Sequence, residues 1–285
     1  MSFEMAKNLI TSLELLRIFP IVDAKMRTIH FHHICYFMIN SLLLRPFGLQ
    51  VSRIKKEEKF TDDEIFLALY EQCRPYTMTS IERMYALFNA VKYVVKNNIP
   101  GDFVECGVWR GGSSMMTALT LLHLRSTDRQ LFLYDTFEGM SEPTEHDRTF
   151  RGEDADLLLK KGANHKETSV WCLADITDVK QNMNITKYPS ANIHYVKGKV
   201  EDTIPSTLPA NGIALLRLDT DWYESTAHEL LHLYPLLAVS GVLIIDDYGH
   251  WDGCKKAVDE YFADKPLLLN RIDYTGRIAV KSQSL

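Results

Sequence analysis

Two short stretches of this 285-residue chain gather carboxylates where chemistry could be done: Leu218-Asp219-Thr220-Asp221-Trp222 and Ile245-Asp246-Asp247-Tyr248. Each closes an apolar run, which places Asp219, Asp246 and Asp247 at the ends of two buried strands. Carboxylates crowded there repel one another and resist ionisation unless a counter-ion is present. A hard divalent cation resolves the conflict, and Mg²⁺ suits oxygen ligands with some waters retained. Asp221 and Asp252 also fit helix caps and surface turns. The ten histidines make no H-x-x-x-H or H-x-H zinc pattern beside cysteines, and His32-His33 reads as part of a helix face.

A second constellation is the run Glu105-Cys106-Gly107-Val108-Trp109-Arg110-Gly111-Gly112-Ser113-Ser114, leading into an apolar helix from Met115 to Leu124. Its glycines permit a tight turn with close backbone approach to a ligand, and the helix start offers unpaired N–H groups. The spacing is G-x-x-x-G-G, whereas a dinucleotide fingerprint is G-x-G-x-x-G, which weakens a nicotinamide reading. Glu105, before the first glycine, suits a ligand carrying an ammonium group and no pyrophosphate, such as the methionyl part of S-adenosylmethionine. Asp135, opening Asp135-Thr136-Phe137-Glu138-Gly139, either caps a loop or accepts both hydroxyls of a ribose; the glycine turn thirty residues earlier favours the ribose. Val200 and Glu201, after a third apolar run, could wall an adenine pocket.

These residues need elements to hold them in place. The strands expected are Phe103–Cys106, Leu131–Tyr134, Ile193–Lys197, Ile213–Leu218 and Val242–Ile245, apolar enough for a parallel sheet covered on both faces. Between the last two, a helix over 225–237 stops at Ser240-Gly241. Leu267–Asp273 and Arg277–Lys281 flank Tyr274-Thr275-Gly276 as an edge hairpin. Thr61-Asp62-Asp63-Glu64 and Thr79-Ser80-Ile81-Glu82 match capping boxes, so helices start near 62 and 80. The architecture is α/β, Rossmann-like. A helical N-terminal extension spans 1–60, and the catalytic domain 61–285 comprises a helical cap over 61–98, a sheet core over 101–285 and a charged lid over 142–170. A surface excursion of no catalytic consequence is the plain alternative for that last segment.

Composition agrees with an ordinary globular protein: 46% hydrophobic residues suffice for a sizeable core, and a net charge of −5 with pI near 6.1 argues against nucleic acid as main partner. Five scattered cysteines without a C-x-x-C pair fit reduced, buried thiols. No signal peptide is evident at the N-terminus and no apolar run is long enough for a membrane span, so a cytoplasmic location is expected. The stretch 29–44, broken by polar residues, suits a helix lying on a core, a partner subunit or a membrane surface.

With these motifs in order and spacing over roughly residues 75 to 281, the chain resembles the macrocin O-methyltransferase (TylF/MycF) family. Tyr134-Asp135-Thr136-Phe137-Glu138-Gly139-Met140, Leu216-Arg217-Leu218-Asp219-Thr220-Asp221 and Gly241-Val242-Leu243-Ile244-Ile245-Asp246-Asp247-Tyr248 carry the likeness together with the glycine turn. The first ~60 residues lie beyond it. The resemblance implies a class I methyltransferase fold, S-adenosyl-L-methionine as donor, Mg²⁺ as ion, and a sugar hydroxyl of a natural product or glycan as acceptor, in a homo-oligomer such as a dimer. It places the metal carboxylates on Asp219, Asp246 and Asp247. The cofactor contacts fall on Thr77, Met78, Glu105, Cys106, Gly107, Val108 and Trp109, with Gly111 and Ser113 of the same turn, and on Asp135, Thr136, Phe137, Glu138 and Gly139.

Catechol O-methyltransferases place a lysine base shortly after the first aspartate; here the loop reads Thr220-Asp221-Trp222-Tyr223, and an acidic base is expected. Asp219 is the first choice, Asp221 the second and His250 a remote third. A nicotinamide-dependent oxidoreductase would share the sheet but leaves the aspartates without a purpose. A non-catalytic scaffold binding partners through its N-terminal helices is opposed by the complete set of site residues.

Overall fold

The apolar runs form β1 (Asp102–Cys106), β2 (Leu131–Asp135), β3 (Ile193–Lys197), β4 (Ile213–Leu218) and β5 (Leu237–Ile245), all paired in parallel. The edge hairpin is β6 (Asn270–Arg271) with β7 (Arg277–Val280), and β7 lies antiparallel to β5. The seven strands make one sheet in the order β3-β2-β1-β4-β5-β7-β6. This computed structural model describes residues 60–164 and 170–282; residues 1–59 of the extension expected over 1–60, with His32-His33, and residues 165–169 of the lid segment fall outside them.

The helices are α1 (Glu64–Cys73), α2 (Ile81–Lys96), α3 (Gly112–His123), α4 (Ala155–Gly162), α5 (Ile176–Ile185), α6 (Val200–Thr203), α7 (Tyr223–Leu233) and α8 (Asp252–Tyr261). Strand alternation divides the core in two. Phe103, Leu131, Leu133, Leu215 and Val242 meet buried residues of α1, α2, α3 and α5 on one face. Val104, Phe132, Tyr134, Leu216 and Leu243 meet α4, α7 and α8 on the other. No helix among the described residues is long and apolar enough to cross a membrane.

Several boundaries differ from expectation. Asp63 and Ser80, rather than Thr61 and Thr79, accept from Phe66 N and Arg83 N, so α1 and α2 are capped later than expected. The helix after β4 ends at Leu233, and Tyr234–Leu236 forms a 3₁₀ turn. Pro235 lacks the N–H a longer helix would need. The buried Lys281 ammonium instead donates to the carbonyls of Tyr234 at 3.0 Å, Pro235 at 3.3 Å and Leu237 at 2.7 Å. Ser240 and Gly241 consequently lie inside β5, which starts five residues before the expected Val242.

Candidate active site

Asp219 is the first residue beyond β4 and Asp246 the first beyond β5, so both stand at the C-terminal end of the parallel sheet, where open α/β sheets bind ligands. Their backbones are tied to neighbouring strand ends: Asp219 N donates to Cys106 O at 2.8 Å and Asp246 N to Leu218 O at 2.9 Å. Ligand oxygens of Asp219, Asp246 and Asp247 then lie within 4.8 Å of one another.

Part of the positive charge these groups require is built into the protein. Arg217, next to the C-terminal end of apolar β4, is almost wholly buried. It donates to Glu105 Oε1 at 2.6 Å, Asp219 Oδ2 at 2.7 Å, Asp246 Oδ1 at 2.6 Å and Thr79 Oγ1 at 3.1 Å. Arg83 pairs with the other oxygen of Asp246 and with Asp273 Oδ2 at 3.1 Å. Asp247 Oδ2 is buried with no partner. Burial and the charge of Asp219 push the Asp221 carboxyl up to about 7. Burial and the charges of Asp221 and Asp219 raise Asp247 well above the ordinary carboxylate range. A proton on either carboxyl relieves the repulsion between them.

The glycine turn forms the facing part of the same site. Gly107 has φ +81°, and a Cβ there would sit 1.9 Å from Asp219 O, so only glycine lets the turn and the acidic loop approach this closely. Asp135 holds the turn's shape: Oδ2 accepts from Val108 N at 2.6 Å and Trp109 N at 3.1 Å, while Oδ1 accepts from Phe137 N at 2.7 Å. Burial raises its pKa, and those three backbone donors oppose the rise. The indole N–H of Trp109 is buried without an acceptor. A cavity of ≈ 400 Å³ joins the turn to the carboxylates.

That cavity is bordered by Thr77, Met78, Gly107, Val108, Trp109, Ser113, Asp135 and Gly139 of the expected cofactor set, together with Asp219, Asp221, Asp246, Asp247 and His250. Thr136, Val200 and Glu201 border a smaller adjoining cavity of ≈ 60 Å³ that shares Gly107, Asp135 and Asp219. The remaining expected contacts are placed elsewhere. Glu105 faces away from the large cavity, its oxygens accepting from Ser113, Ser114 and Arg217. In this arrangement its side chain fixes the turn. Cys106 projects into the α7/α8 core, Phe137 packs in the other core near Tyr195, and Gly111 caps α3. Glu138 is exposed and pairs with Lys197 at 2.7 Å.

Sequence reasoning gave no role to Arg217, Arg83, Tyr274 or Cys172, all of which meet the carboxylates or border the cavity. For Arg217 a signal existed: a lone charge inside an otherwise apolar strand implies a buried partner. The segment expected as a lid carries α4 and is anchored at buried Asp147, whose Oδ1 accepts from Tyr223 N at 2.8 Å; Thr149 bridges to Trp251.

The sequence pattern of a family described as Macrocin-O-methyltransferase (TylF) matches residues 23–279. Demethyldecarbamoylnovobiocin O-methyltransferase of Streptomyces niveus is 36% identical over 188 residues, 66% of this chain and 68% of that one. Mycinamicin III 3''-O-methyltransferase of Micromonospora griseorubida is 31% identical over 186 residues, 65% of this chain and 70% of that one. Among solved structures, the O-methyltransferase NovP superposes with a TM-score of 0.63 at 33% identity, covering 73% of this chain and 83% of its own. The calicheamicin methyltransferase CalS11, at 17% identity and a TM-score of 0.53 over 82% and 98% of the two chains, shares the fold.

Proposed function

The chain belongs to the macrocin O-methyltransferase family of S-adenosylmethionine-dependent enzymes, and from that premise we propose that it methylates a sugar hydroxyl of a natural product or glycan with the help of Mg²⁺. The observation that carries this reading is the cluster Asp219, Asp246 and Asp247 bordering one cavity with the glycine turn. A further relative, the 8-demethyl-8-(2,3-dimethoxy-alpha-L-rhamnosyl)-tetracenomycin-C 4'-O-methyltransferase of Streptomyces olivaceus, 34% identical over 186 residues, has a rhamnosyl group in its named substrate and supports the acceptor class.

The residues fit both absent groups. Asp247 Oδ2 is a buried oxygen with no partner, and Arg217 engages only one oxygen of Asp219. Both oxygens of Asp246 are taken by Arg217 and Arg83, so Asp246 would hold an ion only with the Arg83 contact given up. For the donor, the buried indole N–H of Trp109 is a hydrogen-bond group awaiting an acceptor beside the turn. When bound, Mg²⁺ supplies Lewis-acid stabilisation of a developing alkoxide, and S-adenosylmethionine supplies the methyl group.

The chain's own groups do the rest. Asp135 keeps Val108 and Trp109 in the shape that seats the donor. Arg217 holds Asp219 and Asp246 at fixed positions relative to that turn through Glu105. Asp219 is the proposed base, and Asp221 is the alternative, its carboxyl tuned to about 7. Residues 142–164, seated on Trp251 and Tyr223, are the proposed lid that limits water.

A direct test incubates the protein with S-adenosylmethionine, Mg²⁺ and a panel of deoxysugar glycosides, phenols and catechols, and reads methylation by mass spectrometry. Methylated glycosides are expected. Transfer to phenols or catechols with none to any glycoside would refute the sugar acceptor.

A further inference from the structure

Three aromatic side chains from distant parts of the sequence meet beside the carboxylates. His250 and Tyr274 border the large cavity together with Asp221, Asp246 and Asp247. Phe150 adjoins both, with ring centroids 5.8 Å from His250 and 6.0 Å from Tyr274, and His250 lies 6.0 Å from Tyr274. Phe150 is 51% exposed and Tyr274 52%, so large apolar ring surface faces solvent next to a strongly acidic floor.

The arrangement is held by the backbone. Phe150 N donates to His250 O at 2.8 Å, and Gly249 N donates to Thr275 O at 3.0 Å. A Cβ on Gly249 would fall 2.0 Å from Tyr274 O, so glycine is what allows the hairpin tip to reach the loop after β5. The Tyr274 hydroxyl lies 3.2 Å from His250 Nδ1, and His250 stands edge-on to Trp251 with centroids 4.9 Å apart. Water-exposed rings that are fixed in place and grouped at one cavity are a binding feature, because a ligand covering them removes apolar surface from water without reordering the protein. The carboxylates cannot supply that contact, and a sugar hydroxyl directed at them leaves whatever the sugar is attached to facing the rings.

We infer that Phe150, His250 and Tyr274 form an acceptor wall that holds the apolar, ring-bearing aglycone of a glycosylated substrate while its sugar meets the carboxylates. Arg151 covers Phe150 at 5.2 Å from the ring centroid, which leaves the other face for the ligand. The inference rests on the sugar-acceptor reading of the same cavity, and the two can fail separately.

The test uses the full chain with S-adenosylhomocysteine and Mg²⁺, and compares binding of methyl α-L-rhamnoside, 4-methylumbelliferyl α-L-rhamnoside and 4-methylumbelliferone by calorimetry and fluorescence. The umbelliferyl glycoside is expected to bind at least about tenfold more tightly than the methyl glycoside, and the free ring to bind saturably. The double variant Phe150→Ala/Tyr274→Ala should lose about tenfold for both ring-bearing probes with its melting curve preserved, and Tyr274→Phe should keep the wild-type affinity. No saturable ring binding in the wild type, the outcome if a second copy of the chain covers these rings, overturns the wall. So does ring binding indifferent to the double variant. Ring binding that depends on Phe150 and Tyr274, without methyl transfer to any glycoside, supports the wall and refutes the sugar reading.

Discussion

Glu105 and Arg217 are partners in the β1–β4 register, and their side chains join at 2.6 Å with both almost fully shielded from water. One buried cation thereby links the strand that launches the glycine turn to the two loops that carry the acidic cluster. Removing one member of such a pair leaves uncompensated buried charge, which costs about 3–5 kcal/mol. Arg217→Leu should lose stability of that order in urea unfolding, and Arg217→Lys should lose less because it keeps the charge. A loss under about 1 kcal/mol for Arg217→Leu would contradict a structural role for the pair.

Asp219 borders the cavity and keeps one oxygen outside the arginine network. Asp219→Asn should lower the rate of methyl transfer by about 10²–10⁴-fold while S-adenosylhomocysteine still binds. Excess EDTA should abolish transfer by the wild type, and added Mg²⁺ should restore it. Full activity under EDTA, or in Asp219→Asn, rules out metal-assisted transfer through this aspartate.

The Asp221 carboxyl is pushed up to about 7, from roughly 3.9 in an unfolded chain. A raised folded-state pKa means that the folded protein binds this proton more tightly. The resulting stability is complete below about pH 4 and is lost as pH rises through about 7. Metal-free protein should therefore melt at a lower temperature near pH 8 than near pH 5. Asp221→Asn, which keeps a hydrogen-bonding side chain without the charge, should flatten that difference; identical pH slopes for variant and wild type would count against the assignment.

Asp135 satisfies three backbone N–H groups of two loops. Its truncation to Ala strands them, at about 1–3 kcal/mol for each buried donor left unpaired. Asp135→Ala should weaken S-adenosylhomocysteine binding by at least about tenfold in calorimetry. Unchanged affinity would show that the turn keeps its shape without this carboxylate.

Arg151, Lys160 and Lys161 lie on exposed parts of the segment proposed as a lid. Trypsin should cut there more slowly once S-adenosylhomocysteine, Mg²⁺ and a methylatable glycoside are all present, as closing segments do. Equal cleavage rates with and without them would make the segment a fixed surface feature.

Much of the sheet could be read from the chain because parallel strands buried on both faces are written as unbroken apolar runs, each ended by a polar turn. Ile193–Lys197 and Ile213–Leu218 were legible to the residue on that basis. The start of β5 was not, since Ser240 and Gly241 resemble a helix stop and only the contacts of Lys281 show how Tyr234–Leu237 is accommodated. The capping boxes identified the helices but not the capping residue, because Thr61 and Asp63, or Thr79 and Ser80, are alternative caps one or two residues apart and local geometry chooses.

For the site, chain order alone decided that Asp219, Asp246 and Asp247 converge, because residues one step beyond parallel strands share one end of the sheet. It also decided that the glycine turn and Asp135 stand there with them. Whether a side chain turns toward the ligand or away from it was a tertiary matter. Glu105 and Cys106 are neighbours in sequence, yet strand alternation and the register opposite Arg217 send one to an ion pair and the other into the α7/α8 core. Arg83, Phe150, His250 and Tyr274 come together across as many as 191 positions, from Arg83 to Tyr274, a proximity that no local pattern encodes and that only packing of the hairpin against the loop after β5 creates.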